Sequence, residues 1–482
     1  LITYILLSSF NIAIKKLMIN PKNIIISIFI IGVSLYPSIP IDDKYQIIAD
    51  QIINEIHKDS TAYNRLAYLC DTFGPRLSGS KNLEKSINWI IKEMKLDELD
   101  NVKGERVKVP RWVRGSESLK LIKPYEKKLT MLGLGGSIKT PKSGIIGDVI
   151  VVNNFDELES LSHKVKGKIV LYNAPFTTYG ETVKYRYSGA NVAAKYGAIA
   201  SLVRSIGSWS MDTPHTGVMA YDQNIKKIPH AALTIEDAMM LGRMYDRGNK
   251  ITVNLKMEAK TLGDSWSRNV IAEIKGVKYP EEVIVVGGHI DSWDVGQGAH
   301  DDGGACIASW EVLRTIKKLN LKPKRTIRCV LWTNEENGGR GNKAYRDMHM
   351  TEMDNHVLAI ESDGGVFAPV GFGFSGSAEA KNIISEIHKL LIPINANNLS
   401  DGGRAADIAP LNDFLAAPEP LRAALANLVA PRPRARRLFL RLSLLNMSNY
   451  FKLNINDAGV GGHQLSFFSF YLRHTFCCPL AF

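Results

Sequence analysis

"GGHIDSWDVGQGAHDDGG", residues 287 to 304, packs two His, four Asp and six Gly into eighteen positions directly after the apolar run "VIVVG" of residues 283 to 287. A buried strand that breaks at once into glycine, imidazole and carboxylate has reached its carboxyl end, which is where open α/β sheets bind their ligands. The same event recurs downstream. "IRCVLWTN" (327 to 334) runs into Glu335 and Glu336, and "VLAI" (357 to 360) runs into Glu361 and Asp363. Each strand delivers acid or imidazole to one rim.

Helical periodicity separates these strands in "GACIASWEVLRTIKKL" (304 to 319) and "SAEAKNIISEIHKLL" (377 to 391). The strands themselves read as continuous apolar runs, as expected of a mostly parallel sheet covered by helices on both faces. Residues 263 to 411 are therefore predicted to be an α/β catalytic domain. Residues 41 to 139 supply its N-terminal part, with helices at "QIIADQIINEIHK" (46 to 58) and "NLEKSINWIIKEMK" (82 to 95), a loop at "CDTFGPRLSGS" (70 to 80), and strands over 105 to 135. Residues 140 to 262 change character: short strands at "GIIGDVIVV" and "KGKIVLYNAP", a helix at "GANVAAKYGAIASLV", and further strands to "KITVNLKMEAK" predict an inserted β-rich domain.

Carboxylates gathered on one rim repel each other, and burying them is costly unless a cation neutralises them. One imidazole and several carboxylates from separate strand ends suit a pair of divalent metals, with zinc foremost and one carboxylate bridging. The adjacent Glu335 and Glu336 can divide the work, one ligating while its neighbour takes the proton of a metal-activated water. Hydrolysis of an amide bond follows naturally. His300 sits in a tight turn that should aim its side chain elsewhere; His57, His163, His215, His230, His349, His356 and His388 read as surface or packing residues.

The net charge of +12 over 482 residues invites a nucleic-acid reading, but the lysines are scattered and the dense basic cluster is confined to "RPRARRLFLRL" (432 to 442). No nucleic-acid partner is expected. Five cysteines make no disulfide framework, and Cys306 and Cys329 lie in apolar segments that predict core positions. Residues 1 to 40 read as a signal peptide or N-terminal anchor: the apolar run 24 to 36 follows Lys15, Lys16 and Lys22 and is short for a stable membrane span. With the sequons at Asn398 and Asn446, this predicts the secretory route, to the outside or the lysosome.

"GGHIDSWDVGQGAHDDGG", "LWTNEENGGRG" (331 to 341) and "IESDGG" (360 to 365) resemble the co-catalytic zinc exopeptidases that include bacterial leucyl aminopeptidases and glutamate carboxypeptidases. The likeness runs from about residue 45 to about residue 411. It implies that His289 and Asp363 hold one zinc, that Asp301 bridges two, that Glu336 binds the second and that Glu335 is the general base. It further implies that Asp291 orients the His289 imidazole, that the bond between Asp301 and Asp302 is cis, and that the insert is a protease-associated domain beside the active site. Dipeptides or short peptides would be the substrates, and a homodimer the assembly. Two other functions belong to similar folds: a receptor-like interaction protein that has lost its ligands, and an aminoacyl cyclase that uses one zinc.

The likeness fails at residues 412 to 482. After "DIAPLND" (407 to 413) the family pattern leads to a glycine turn and a His-His-Ser/Thr motif carrying the last ligand. Here an Ala/Arg/Leu-rich segment intervenes, and "NINDAGVGGHQLSFFSFYLRHT" (454 to 475) resembles a garbled continuation. His474 is then the expected last zinc ligand, ahead of His463, and a retained intron or frameshift would account for the foreign segment.

Overall fold

The computed structural model describes residues 43 to 363, 368 to 402, 406 to 412 and 440 to 441. Three helices open it: α1 (Asp43–Lys58), α2 (Thr61–Phe73) and α3 (Lys81–Leu96). The Ser80 hydroxyl caps α3 by accepting the Leu83 N–H, a common way to satisfy a first-turn donor. The strand β1 (Asp100–Val113) then carries the chain away from the first sheet.

A second sheet follows, built from β2 (Glu117–Lys123), β3 (Lys127–Leu129), β4 (Met131–Gly133), β5 (Ile145–Val152), β6 (Ile169–Tyr172), β7 (Ala200–Arg204), β8 (His230–Leu233) and β9 (Thr252–Met257). Their spatial order is β3-β2-β9-β5-β6-β7-β8-β4. The helices α4 (Phe155–Ser160), α5 (Tyr179–Lys195) and α6 (Ile235–Asp246) accompany this sheet, which has apolar clusters of its own.

The chain returns through β10 (Lys260–Ile274), then β11 (Tyr279–His289), α7 (Gly304–Lys318), β12 (Arg325–Trp332), α8 (Arg340–Met348) and β13 (His356–Glu361). The strand β14 (Gly371–Phe374), the helix α9 (Ala378–His388) and the strand β15 (Asn398–Asp401) follow, then a short helix, α10 (Ala409–Asn412), and a two-residue strand, β16 (Leu440–Arg441), which pairs with β14. The first sheet has the order β1-β10-β12-β11-β13. Successive residues of a strand point to opposite faces, and the two apolar layers divide accordingly. Ile284, Val286, Ile327, Cys329, Leu331, Leu358 and Ile360 join the layer of α2, α3 and α7, whereas Val283, Val285, Val330, Trp332 and Ala359 pack with Tyr345 of α8. Both faces are covered, which is why these strands read as unbroken apolar runs.

Four expectations are corrected. The described sheet is mixed: β12, β11 and β13 are parallel, but β1 and β10 are antiparallel to each other and β10 to β12. The strands that leave for the second sheet and return from it necessarily run in opposite directions when they pair, and an apolar run carries no sign of direction. The second sheet begins at Glu117, earlier than residue 140, because β2 pairs with β9 and β4 with β8. The segment read as a helix over 189 to 203 is instead the end of α5, a turn at Gly197 (φ 83°) and the strand β7. Likewise Cys70 to Phe73 belong to α2, which stops at Gly74.

One ion network beneath the sheet gives a test of stability. The Arg328 guanidinium, on β12, bonds Glu273 and Glu352 at 2.6 Å each, and His349 bridges Glu352 to Glu105, the latter at 3.0 Å. Burial opposes a charge on His349, but Glu105 and Glu352 outweigh it and raise its pKa above the usual 6.5. A raised histidine stabilises the fold fully below its unfolded pKa and ceases to do so as pH climbs through its folded pKa. The melting temperature should therefore decline as pH rises from about 6.5 into the alkaline range, and His349→Gln should flatten that decline. Identical slopes for the two proteins would refute the assignment. Among the described residues no helix is long and apolar enough to cross a membrane.

Candidate metal centre

His289 closes β11 in register with Trp332 of β12, and its side chain is buried. Its Nδ1 lies 3.0 Å from the Asp291 carbonyl oxygen, which orients the ring and turns Nε2 outward. Two carboxylate oxygens meet Nε2 there, Asp301 Oδ1 at 3.1 Å and Asp363 Oδ1 at 3.2 Å. The Asp301 side chain is 57% exposed and that of Asp363 28%, so both face a cleft rather than the core.

The turn that supplies Asp301 is held by contacts on its inner side. The Asp301–Asp302 peptide is cis, as the resemblance implies. Asp302 is fully buried, and its Oδ2 accepts the His289 amide N–H at 3.0 Å. Gly288 makes this approach possible, since a Cβ there would lie 2.3 Å from Asp302 Oδ2. Buried Arg76 donates to the carbonyls of Ile290, Gln297 and Gly298 and so fastens the loop between His289 and Asp301.

Glu335 and Glu336 follow Trp332 and Asn334, the latter in the left-handed conformation (φ 69°) that Asn tolerates. Asp291 governs them: its Oδ1 accepts the Glu335 N–H at 3.1 Å and its Oδ2 the Glu336 N–H at 3.3 Å. Its nearest carboxylate oxygen is 3.9 Å from His289 Nδ1. Asp291 thus orients the imidazole through its carbonyl, while its carboxylate sets the glutamate turn. Glu336 Oε1 accepts the Trp293 N–H at 3.2 Å.

The electrostatics describe a strongly anionic site. Burial raises Glu335 to about 7, with Asp363, Asp291 and Asp301 adding to the rise against His289. Burial and then Asp301 hold Glu336 well above the usual carboxylate range, and burial does the same for Asp302. Burial disfavours the charged imidazole of His289, yet Asp301 and Asp363 carry its pKa well above 6.5. One donor atom each from His289, Asp302 and Asp363 lies within 4.8 Å of the others, and Asp302 Oδ1, Glu361 Oε1 and both Asp407 carboxylate oxygens are buried without a partner among the described residues. Nitrogen and carboxylate donors converging under such repulsion fit a bound divalent metal.

Asp301, Glu335, Glu336 and Asp363 line one cleft of about 1980 Å³, together with His300. The same cleft is lined by Arg186 of α5, by Arg204 at the end of β7 and by His215. His215 was expected to be a surface or packing residue, and an isolated histidine in "TPHTG" carries no signal to the contrary. Nor do single arginines on a helix or at a strand end. His474 and His463 lie outside the described residues, as do residues 1 to 42.

A rim of strand ends bearing these groups is the arrangement of a metal-dependent hydrolase, and the profile of Peptidase family M28 matches residues 269 to 415. A Peptidase M28 precursor from Shewanella amazonensis superimposes with a TM-score of 0.74 at 31% identity, over 78% of this chain and 86% of that one. A zinc aminopeptidase from Bacillus subtilis shares the fold, with a TM-score of 0.56 at 22% identity over 73% of this chain and 82% of its own. Carboxypeptidase Q of Xenopus laevis is 51% identical over 368 residues, 76% of this chain and 78% of that protein. The human carboxypeptidase Q is 50% identical over 347 residues, 72% of this chain and 74% of that protein. The chain belongs to the carboxypeptidase Q family.

Proposed function

We propose that this protein is a zinc-dependent exopeptidase that hydrolyses dipeptides or short peptides at a site for two zinc ions. The observation that carries the reading is the convergence of Asp301 and Asp363 on His289 Nε2 beside the raised Glu335. His289 and Asp363 would hold one ion, Glu336 the other, and Asp301 both. Zinc bound there would polarise the scissile carbonyl and lower the pKa of a water to about 7. Glu335, whose carboxyl burial raises to about 7, would act as the general base that accepts a proton from the attacking water and returns it to the leaving amine. Asp291 holds the Glu335 and Glu336 amides and thereby the angle at which the base meets the water.

On the same reading, the second sheet is the protease-associated domain, the protein travels the secretory route to the outside or the lysosome, and it forms a homodimer. Family membership supports these finer points by resemblance. Neither the receptor-like alternative nor the cyclase has an observation in its favour.

Zinc dependence is directly measurable. Dialysis against a chelator should abolish dipeptide hydrolysis, zinc should restore it, and metal analysis should return two zinc per chain. Full activity after complete demetallation would refute the reading.

A further inference from the structure

The chain has seven tryptophans, and six of them have a partner or a core to explain their place. Trp112, Trp293, Trp310 and Trp332 are buried. Trp89 packs among Tyr68, Phe73 and Trp310 with ring centroids 4.9 to 6.0 Å away, and Trp266, though exposed, lies under the Arg106 guanidinium at 4.2 Å. Trp209 differs from them all: 70% of it is exposed, and no ring or cation stacks on it among the described residues. It does not stand on open surface, for it lines the cleft that also holds Asp301, Glu335, Glu336 and Asp363. Of the loop residues 206 to 215 that line this cleft, Trp209 is the large apolar side chain left exposed, since Ile206 is buried and Met211, at the tip, lies outside it.

The loop fixes where the indole stands. At its base the His215 N–H donates to the Ser205 hydroxyl. Next to Trp209, the Ser210 hydroxyl donates to the Glu236 carboxylate and accepts the Ile235 N–H at 2.9 Å, which ties the loop to the start of α6. The Thr213 N–H then donates to the Ser210 carbonyl at 2.8 Å and closes a turn whose central residues, Met211 (φ 47°) and Asp212 (φ 61°), are both left-handed. Methionine seldom adopts that conformation. The bonds from Ser205 and Ser210, rather than local preference, therefore hold the turn and the tryptophan beside it.

A fixed indole is a contact surface that loses little conformational freedom on binding, because it has only two side-chain torsions. Its face stacks favourably on aromatic and aliphatic groups, and covering it removes apolar area from water. We infer that Trp209 is a specificity-determining residue: it packs on a bulky apolar side chain of the substrate, so dipeptides carrying Phe, Tyr, Leu or Met are cleaved in preference to those carrying Ala. The inference rests on the exopeptidase reading and deepens it. The contact is made to a side chain and is independent of how the peptide's termini are held.

The test is a set of kcat/KM values for Ala-Ala, Phe-Ala and Ala-Phe, measured on the zinc-loaded full chain and on its Trp209→Ala and Trp209→Phe variants. The native protein should favour Phe over Ala at one of the two positions by about 10-fold, the worth of one aromatic contact. Trp209→Ala should bring that ratio toward one, chiefly through KM, with zinc content and melting temperature retained, because truncating an exposed side chain leaves no cavity. Trp209→Phe keeps an aromatic face and should restore most of the ratio. A native protein indifferent to Phe at both positions, or a Phe preference that survives Trp209→Ala, overturns the inference and leaves the exopeptidase reading intact. So does a Trp209→Ala protein that melts several degrees lower and cleaves all three dipeptides more slowly by one common factor, since that describes a structural tryptophan. A zinc-loaded native protein that cleaves none of the three overturns the exopeptidase reading, and the inference with it. If Trp209→Ala fails to fold, Trp209→Gln decides: a ratio near one supports the inference, and an unchanged ratio overturns it.

Discussion

Glu335→Gln is expected to lower kcat by about 10² to 10⁴-fold, the usual share of a positioned general base, while zinc content stays at the native level. The argument is one of division of labour between neighbours. Glu336 Oε1 accepts the Trp293 N–H, and its backbone, like that of Glu335, hangs from the Asp291 carboxylate. The Glu335 side chain lines the cleft and has a pKa raised to about 7 by burial and the surrounding carboxylates, against the pull of His289. Glutamine keeps the shape and the backbone bonds and removes only the ability to take a proton. Retained zinc with lost turnover is the expected pair of results, measured by metal analysis and steady-state kinetics on one preparation. An unchanged kcat would remove Glu335 from the mechanism.

Asp301→Asn should do more, because it removes structure as well as chemistry. The Asp301 carboxylate lies 3.1 Å from His289 Nε2 and lines the cleft beside Glu335, Glu336 and Asp363. It is also the carboxylate whose pKa the site depresses, since His289 outweighs the effect of burial. An amide supplies one weakly donating oxygen and no charge, so it cannot bridge two cations. Zinc content should fall to one ion per chain or none, and activity should fall further than for Glu335→Gln because metal and base are disabled together. Two zinc ions surviving in Asp301→Asn would show that the bridge lies elsewhere.

Much of this site was legible because parallel strands impose a clear grammar. A strand buried on both faces must be apolar until it ends, so His289 after "VIVVGG", Glu335 after "IRCVLWTN" and Asp363 after "VLAI" stood out at the edge of their runs. The structure brings His289, Asp301 and Asp363 into contact and sets Glu335 and Glu336 on the same cleft. The actual work of Asp291 was less accessible: that its carbonyl, not its carboxylate, meets the imidazole depends on backbone geometry that spacing does not encode.

Strand direction and strand identity were the weaker readings, for physical reasons. The apolar residues of β10 look alike whether the strand runs with β12 or against it, and only the detour through the second sheet decides. The run ending in "ASLV" packs equally well as a helix or as a buried strand, and Gly197 settles the matter by turning the chain. Arg186, Arg204 and His215 could not be found at all from the sequence, because a lone cation on a helix or loop reads as solvated surface until the fold buries it opposite a cleft.

The account rests on two metal ions held by the strand-end ligands, and the most direct measurement is anomalous diffraction at the zinc edge from crystals of the zinc-loaded protein. It predicts two peaks about 3.5 to 4 Å apart, both in contact with Asp301, with His289 and Asp363 on one and Glu336 on the other. A single peak, or peaks away from Asp301, would contradict it.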